Sequence, residues 1–354
     1  MELQVLDVGN KKDYLKWLDV WQSWPKKEVF LHPDYVSLYT DTANRGLGAL
    51  LKTRNGTVLY PFVMRDLSGE LYYSSKLPPL NDIVTPYGSG GACYWGDDDR
   101  MVVAEVFWNL FDDWAAEKNI VSEYVRFLLF PELLLNYPGE KIMRVQHVIL
   151  DLTVRENEIW RNFKPKVRKN VKNAIKNDVH IIKSDNNDGL DKFLHVYQST
   201  MKRRNGYEFS AQYFKNLCER LNNQIMFFYS VHKNSVISVE LVLIGSENVY
   251  SFLGGTLADK FHLRPNDLLK YEIIRWARGI GKKRFILGGG NYENDGIFQY
   301  KIAFSPKGAV PKYEGKRILN QQYYDQLVEN NLKWHGINDR KWIPNRSFFP
   351  RYRG

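Results

Sequence analysis

The chain has 354 residues, 44% of them hydrophobic, and a formal net charge of +10. This length is too great for one small domain and indicates two, each able to bury its own core. The positive charge favours partners that bear phosphate, namely nucleic acid, nucleotide-linked substrates or an anionic membrane face.

Several protein classes are excluded by what the sequence lacks. Cys93 and Cys218 are the only cysteines and fit no CxxC or disulfide pattern, which indicates reduced thiols. The seven histidines show no metal-ligand spacing, so no metal site is predicted. No apolar run approaches the length of a membrane span, and residues 1–13 lack the apolar core of a signal peptide. A cytoplasmic protein is therefore expected.

In the first half, the apolar spacing predicts helices over residues 12–24 and 34–42. The period then changes to that of strands, which predicts a meander over 47–52, 58–64 and 71–74. A long irregular loop follows at 76–91, and such loops inside compact domains are more often functional than not. A helix over 101–118 and a strand over 124–130 complete this half.

The second half repeats this order of elements. It opens with a basic helix in which Arg168, Lys172 and Lys176 are four residues apart, and no acidic residue occurs from 161 to 176. The predicted elements after it are helices near 190–204 and 213–221, strands at 226–231, 236–244 and 249–253, a helix at 266–280 and a strand at Phe285. The shared order indicates an internal duplication of one α+β unit.

This duplication predicts one domain at residues 1–150 and a second at 151–320. A basic C-terminal extension is expected at 321–354. Its positive charge comes from Arg340, Lys341, Arg346, Arg351 and Arg353.

The stretch from Arg284 to Phe304 combines a short apolar strand, three consecutive glycines and a lysine among aromatic residues. Glycine lacks a Cβ and permits positive φ, so Gly289 and Gly290 are expected to give a ligand close access to the backbone. Lys301 then places a cation just beyond that opening. A flexible turn followed by an exposed lysine is the alternative interpretation.

Four short segments, taken in their order and spacing, support a family resemblance. They are the basic helix with Arg168, the segment Arg204-Asn205-Gly206-Tyr207, the loop at 82–91 and the stretch 296–304. Over about residues 28–320 the chain resembles the FemAB family of aminoacyl and acyl transferases, which carry two GNAT-like units in tandem. The resemblance implies an α+β fold of two tandem GNAT-like domains, each a mixed, mostly antiparallel sheet flanked by helices.

The resemblance also implies roles for individual side chains. Lys301 is expected to hold the negative oxygen of a tetrahedral intermediate or the adjacent donor phosphate, and Arg204 to bind the phosphates of a nucleotide-linked acceptor. Arg168 is expected to belong to the field that attracts a polyanion, although a solvated helix face is the alternative. The predicted binding site is completed by Tyr87, Gly289, Gly290, Tyr292 and Tyr300. Plain groove walls are the alternative for Tyr292 and Tyr300.

Two carboxylates are candidates for the proton acceptor that the transfer requires. Asp82 is placed in the irregular loop beside Tyr87, where a residue that stabilises a turn is the alternative. Glu240 lies on one face of an otherwise apolar strand, so it must be paired or face a cleft. Pairing with a neighbouring arginine is the interpretation favoured for Glu240.

The acyl donor is left open between aminoacyl-tRNA and acyl-CoA, and no permanently bound cofactor is expected. GNAT proteins usually bind the coenzyme A pyrophosphate with a glycine-rich loop at the start of the long helix. The corresponding segment here, at residues 262–268, has no glycine and contains Asp267. A carboxylate at that position repels phosphate, which predicts weak or no binding of coenzyme A.

The leading hypothesis is a cytoplasmic transferase, peripheral at the inner membrane face. It would move an acyl or aminoacyl group onto an amine of a nucleotide- or lipid-linked cell-envelope precursor, such as one of peptidoglycan. One alternative is an acetyl-CoA-dependent N-acetyltransferase of a surface-polysaccharide sugar. The other is a non-catalytic protein that binds RNA or a membrane surface through its basic residues, and steep salt dependence of RNA binding would favour it.

Overall fold

The computed structural model describes residues 1–185, 187–338, 345 and 348–354. The chain divides into two compact units. Unit 1 consists of Met1–Trp24, Phe30–Arg144 and Lys312–Gly354, and unit 2 consists of Pro25–Val29 and Val145–Pro311. Of the basic residues predicted near the C-terminus, Arg340, Lys341 and Arg346 lie outside the described residues.

The helices and strands alternate along the whole described chain. In chain order they are β1 (Leu3–Asp7), α1 (Lys11–Ser23), α2 (Pro33–Ser37), β2 (Asn44–Lys52), β3 (Gly56–Asp66), β4 (Asn81–Val84), β5 (Cys93–Gly96), α3 (Arg100–Glu117), β6 (Ile120–Arg126), β7 (Glu140–Asp151), α4 (Glu156–Asn162), α5 (Pro165–Lys176), β8 (His180–Ser184), α6 (Leu190–Arg204), α7 (Ala211–Arg220), β9 (Ile225–His232), β10 (Ser235–Ile244), β11 (Asn248–Thr256), α8 (Pro265–Gly279), β12 (Arg284–Gly289), α9 (Gly296–Ile302), β13 (Ala309–Ile318) and α10 (Gln321–Asn338).

Unit 1 contains a sheet with the strand order β1-β2-β3-β4-β6-β13, and β5 pairs with β3. The β4–β6 pair is parallel, and the other pairs are antiparallel. Helix α3 begins where Asp99 accepts hydrogen bonds from two backbone N–H groups of the first turn. It buries Phe107 and Phe111 against Tyr60 and Phe62 of β3. Each such ring contributes about 1.5–3 kcal/mol through removal of apolar surface from water.

Unit 2 contains a sheet with the strand order β7-β12-β11-β10-β9-β8. Here the β11–β12 pair is parallel and the other pairs are antiparallel. Helix α8 joins the two parallel strands. It places Leu269, Ile273 and Ala277 four residues apart, so that one apolar stripe packs into the core with Phe285.

Both units therefore place a parallel pair of strands, joined through a long helix, in an otherwise antiparallel sheet. The prediction of an α+β fold with two duplicated units, each a mixed and mostly antiparallel sheet flanked by helices, is confirmed. Mixed sheets of this kind need a crossover helix because parallel neighbours cannot be joined by a tight hairpin.

Two predicted elements in unit 1 are wrong. The segment 71–74, expected to be a strand, is a turn followed by irregular chain, in which Leu71 is 73% exposed and Tyr72 is buried. The loop expected at 76–91 contains the strand β4, which pairs with β3 and β6. No element was predicted at the positions of β1, β5, β7, β13, α4, α9 and α10.

Candidate functional site

The site in unit 2 is organised around an opening between the parallel strands β11 and β12. Among the described residues, the two strands pair only from Asn248↔Arg284 to Tyr250↔Ile286. Beyond that point β11 continues to Thr256 and β12 to Gly289. We call this opening the strand gap, bounded by residues 251–256 of β11 and 287–289 of β12.

Two β-bulges lie at the start of the strand gap. In the β10–β11 pair the register shifts between Leu241 and Val242, and Phe252 is the extra residue. In the β7–β12 pair the register shifts between Ile286 and Gly288, and Leu287 is the extra residue. Bulges bend a strand and increase its twist, which accounts for the separation of β11 from β12.

The corresponding parallel pair of unit 1 is closed. After β4 the chain stays bound to β6, because Thr85 N donates to Tyr124 O at 3.1 Å and Gly90 N donates to Arg126 O at 2.7 Å. The loop at 85–91 therefore continues the pairing that unit 2 interrupts. This difference makes the strand gap of unit 2 the candidate functional site.

Lys301 lies at the end of the strand gap. It is on helix α9, where the prediction had only a lysine beyond the glycines, and its Nζ donates to Gly289 O at 2.6 Å. Asp295 caps this helix by accepting from Phe298 N at 2.7 Å and from Asn291 N at 2.8 Å. Burial, and then the nearby cation Lys270, lower the pKa of Lys301 to about 8.

The three glycines have protein neighbours that explain them without a ligand. Gly288 has φ +78°, and a Cβ there would lie 3.2 Å from Lys301 Nζ. A Cβ on Gly289 would lie 2.7 Å from Gln146 O, and one on Gly290 would lie 2.0 Å from Asp295 Oδ1. The glycines thus allow the turn before α9 to close on itself, which differs from the predicted access of a ligand to the backbone.

Glu240 forms a buried ion pair beside the strand gap. Its carboxylate contacts Lys270 Nζ, and the same amine donates to Ser251 Oγ at 2.7 Å. Glu240 is on β10 opposite Gly254 of β11, and Lys270 comes from α8. The predicted pairing of Glu240 is therefore present, but the partner is a lysine and not an arginine.

Arg204 and its neighbours end helix α6 near the far end of β11. Arg204 is exposed, and its positive charge contributes to lowering the pKa of Lys301. The preceding residue, Arg203, donates to Thr256 O at 3.1 Å and lies over the Phe261 ring at 5.1 Å. Thr200 Oγ1 accepts from Thr256 N at 3.1 Å. Arg203 anchors the helix, which leaves Arg204 available to a ligand.

The two tyrosines predicted for this site differ in their surroundings. Tyr300 packs its ring against Phe304 at a centroid distance of 5.4 Å. Its buried hydroxyl has no hydrogen-bond partner among the described residues, and burial raises its pKa well above 10.0. Tyr292 is 69% exposed. The Tyr300 ring therefore packs against the hydrophobic core of unit 2. Tyr292 is a surface residue of the turn before α9.

Arg168 is engaged within its own part of unit 2. Its guanidinium donates to the backbone oxygens of Arg161 and Phe163, so it caps the end of α4. The exposed cations of the basic helix are Lys164, Lys166, Lys169, Lys172 and Lys176. These lysines, and not Arg168, supply the accessible positive charge.

Asp82 and Tyr87 belong to unit 1, whereas the other predicted site residues belong to unit 2. Asp82 lies on β4 and not in a loop, and it is fully buried. Its carboxylate accepts from Arg65 at 2.7 and 2.9 Å and from Arg353 at 2.9 Å. Such an occupied carboxylate has a structural role, which corrects its interpretation as a proton acceptor. Tyr87 is 48% exposed, and its backbone oxygen accepts from Tyr35 at 2.6 Å.

Asp267 is turned into the core at the start of α8. It is buried, it accepts from Asn170 Nδ2 at 3.2 Å, and burial raises its pKa to about 6. Pro265 is the first residue of the helix and has no N–H to offer an anion. This helix start therefore offers fewer donors than a glycine-rich phosphate loop.

Unit 2 has further cavities, and one of about 320 Å³ along α5 is lined by Pro165, Arg168, Lys169, Lys172 and Asn173, which include one predicted site residue. A cavity of about 360 Å³ in unit 2 is lined by Ile149, Phe304, Gly308 and their neighbours, and by none of the predicted site residues. Among the described residues, no group of His, Cys, Asp and Glu could hold a metal ion. Within the same part of the chain, no helix is long and apolar enough to cross a membrane.

Comparisons with known proteins agree with this architecture. Residues 161–301, all in unit 2, match the family model described as an acetyltransferase (GNAT) domain. The fold is similar to the crystal structure of FemX, with a TM-score of 0.69 and 13% identity over 92% of this chain and 99% of that one. It is also similar to L-PGS from Bacillus licheniformis, with a TM-score of 0.52 and 11% identity over 91% and 96% of the two chains. No curated protein sequence matches the chain.

Because the sequence identities are only 13% and 11%, these similarities show a shared fold and nothing further. The predicted resemblance to FemAB-type transferases, with GNAT-like domains in tandem, is confirmed at that level.

Proposed function

We propose that this chain is an acyltransferase that moves an acyl or aminoacyl group onto an amine of a nucleotide- or lipid-linked cell-envelope precursor. The observation that carries the proposal is the placement of the Lys301 amine at the end of the strand gap in unit 2, hydrogen-bonded to Gly289 O. The fold similarity to FemX and to L-PGS supports the same class of reaction. A lipid-linked acceptor implies action at the cytoplasmic face of the membrane.

The chemistry follows from what an acyl transfer requires. The acceptor amine attacks the carbonyl carbon of the donor, a C–N bond forms, and the C–O or C–S bond to the leaving group breaks. In the tetrahedral intermediate between these two steps, negative charge develops on the carbonyl oxygen, and a nearby cation stabilises it. Lys301 supplies that cation, and the donor would lie along the strand gap beside it.

Aminoacyl-tRNA is the proposed donor. Pro265 and the inward-facing Asp267 leave the start of α8 poorly suited to a pyrophosphate. The exposed lysines of α5, which include Lys169 and Lys172, provide a surface that attracts a polyanion. A tRNA donor uses such a surface and does not need a phosphate loop at α8.

Acetyl transfer from acetyl-CoA to a surface-polysaccharide sugar is the second candidate. The match of residues 161–301 to a GNAT acetyltransferase domain favours it. Titration calorimetry with coenzyme A separates the two donors. Binding at micromolar concentration would support acetyl transfer, whereas no heat of binding supports the aminoacyl donor.

A transfer assay tests the proposed function directly. The purified chain is incubated with radiolabelled aminoacyl-tRNA or acetyl-CoA and with amine-bearing uridine-diphosphate sugars, peptides or aminolipids. We expect label in the amine product with the intact chain and its loss in Lys301→Met. Lys283→Met is the matched control, because the Lys283 side chain is 53% exposed and pairs with Glu247. Salt-sensitive RNA binding without any transfer would support the non-catalytic alternative instead.

A further inference from the structure

The buried pair of Glu240 and Lys270 calls for a reason beyond stability. Both side chains are less than one-tenth exposed. Removing two charges from water costs several kcal/mol per ion, and replacing such a pair by apolar residues is often neutral or stabilising. An ion pair kept at this cost beside the strand gap therefore points to a role in the chemistry.

The geometry connects Lys270 with Lys301. Lys270 Nζ is fixed to Ser251 Oγ at 2.7 Å, and Ser251 is the first residue of β11 beyond the paired stretch. Lys301 Nζ is fixed to Gly289 O at 2.6 Å, and Gly289 is the last residue of β12. The two amines are thus attached to the two strands that bound the strand gap.

Several charged groups act on the Lys301 amine. Burial and the positive charge of Lys270 on α8 lower its pKa, and Arg204 at the end of α6 acts in the same direction. Glu240 on β10 and Asp295 before α9 act in the opposite direction, and the influence of Lys270 is greater than that of Glu240. The ring of His147 on β7 lies against Gly289.

We propose that Lys270 is a positioning residue that shifts the Lys301 amine toward its neutral form, so that Lys301 carries a proton during transfer. Glu240 holds Lys270 in place and compensates its charge. This inference rests on the proposed function, and it assigns Lys301 a second role besides that of stabilising the carbonyl oxygen.

Lys301 can both accept and return the proton that the transfer releases. A neutral amine has one lone pair and two N–H groups, and one of those N–H groups is used by Gly289 O. The lone pair of Lys301 accepts the proton that the acceptor amine loses when its C–N bond forms. The resulting ammonium stabilises the negative oxygen, then gives the proton to the leaving oxygen or sulfur as the C–O or C–S bond breaks. Lys301 ends in the state in which it began.

The first test measures the charge state of Lys301 without any substrate. Trace acetylation with acetic anhydride at a series of pH values, followed by mass spectrometry, gives the labelling midpoint of each lysine. We expect Lys270→Met to raise the midpoint of Lys301 by about one pH unit and Glu240→Gln to lower it. A purely structural pair would not shift the midpoint in opposite directions. Lys270→Arg keeps the cation and should retain the original midpoint.

Controls separate a change of fold from a change of charge. Lys283→Met and Glu247→Gln alter a partly exposed ion pair of the same unit and should leave the Lys301 midpoint unchanged. If Lys270→Met does not fold, as judged by circular dichroism, Glu240→Gln and Lys270→Arg decide the question. A Lys301 midpoint that is the same in folded Glu240→Gln as in the natural chain would overturn the positioning role.

The second test follows the proton carrier. In the transfer assay, the acidic limb of the kcat/KM profile should shift in Glu240→Gln by as much as the labelling midpoint of Lys301 does. In Lys270→Arg it should have the same position as in the natural chain. If the acidic limb of the kcat/KM profile remains fixed while the labelling midpoint of Lys301 moves, Lys301 is not the proton carrier. Because labelling needs no donor or acceptor, a failure of the proposed function leaves the labelling result intact, and the two failures remain distinguishable.

Discussion

Arg353 donates from its Nε to the carboxylate of Asp82 at 2.9 Å, across 271 positions of the sequence. The same carboxylate accepts from Arg65 at 2.7 Å, and Tyr352 donates to it at 3.1 Å. Asp82 therefore fixes the C-terminal segment of unit 1 to strand β4. The residue that looked like a proton acceptor is an anchor of the fold.

We expect Asp82→Asn to destabilise unit 1 by about 3 kcal/mol, because breaking a buried charge network leaves its arginines without their counter-charge. Urea unfolding followed by tryptophan fluorescence measures this loss. The matched control is Arg45→Met, which removes an exposed pair with Asp7 and should cost less than about 1 kcal/mol.

Activity distinguishes this role from catalysis. At a temperature where Asp82→Asn is folded, we expect it to retain transfer within about threefold of the natural chain, since a structural anchor is not used in the chemistry. A folded variant that lost transfer a hundredfold would restore Asp82 as the proton acceptor.

We expect the activity proposed for the strand gap to depend on Lys301. Lys301→Met keeps the volume of the side chain and removes its amine, so we expect kcat/KM to fall by about 10²–10⁴-fold. Stability should change by only about 1 kcal/mol, because a single hydrogen bond to Gly289 O is lost. Transfer kinetics and thermal unfolding of the same preparation check both statements. A variant with unchanged kcat/KM would remove Lys301 from the site.

The duplicated fold could be predicted because its signals are local. The apolar residues of α8 repeat at helical spacing and those of β10 at strand spacing, and the same order recurs in both halves. The short strand β4 was missed because its four residues begin with Asn81 and Asp82, which are polar. Its strand conformation depends on pairing with β3 and β6, and that pairing is not encoded in the segment itself.

The surroundings of Glu240 could be predicted in part for a similar reason. The burial of Glu240 could be inferred from its place on an apolar strand, but its partner is 30 residues away on another element. Lys270 follows Leu268 and Leu269 in the sequence, and a lysine beside the apolar stripe of a buried helix was the signal that could have identified it.

Glu28 makes the stability of unit 2 depend on pH. Its fully buried carboxyl contacts Asn248 and accepts from Tyr250 at 2.7 Å, and burial raises its pKa from 4.5 to about 7. The stability that the protonated carboxyl contributes is fully present below pH 4.5 and is lost as the pH rises through about 7. The change amounts to about 3 kcal/mol.

We therefore expect Glu28→Gln, which keeps an uncharged side chain at every pH, to gain stability relative to the natural chain between pH 5 and pH 8. Hydrogen exchange of peptides from β11, measured at both pH values, reports the stability of unit 2. Glu208→Gln is the control, because Glu208 is an exposed carboxylate of the same unit. If the stability difference between Glu28→Gln and the natural chain were the same at pH 5 and pH 8, Glu28 would not be the source of the pH dependence.

Gly290 tests whether the glycines before α9 serve the fold or a ligand. A Cβ at this position would lie 2.0 Å from Asp295 Oδ1, and Asp295 is held in place by Asn291 N and Phe298 N. Asp295 cannot move away without breaking the cap of α9. We therefore expect Gly290→Ala to lower the free energy of unfolding by about 1–3 kcal/mol. The displaced helix should also carry Lys301 out of position and lower kcat.

Gly279→Ala is the matched control, since a Cβ there meets nothing within 4 Å. It should be neutral, or stabilising by about 0.5–1 kcal/mol, because alanine loses less backbone freedom on folding. Differential scanning fluorimetry and transfer kinetics compare the two variants. If Gly290→Ala raised KM and left the thermal midpoint unchanged, the glycine would serve a bound ligand, as the sequence predicted, and not the closure of the turn on Asp295.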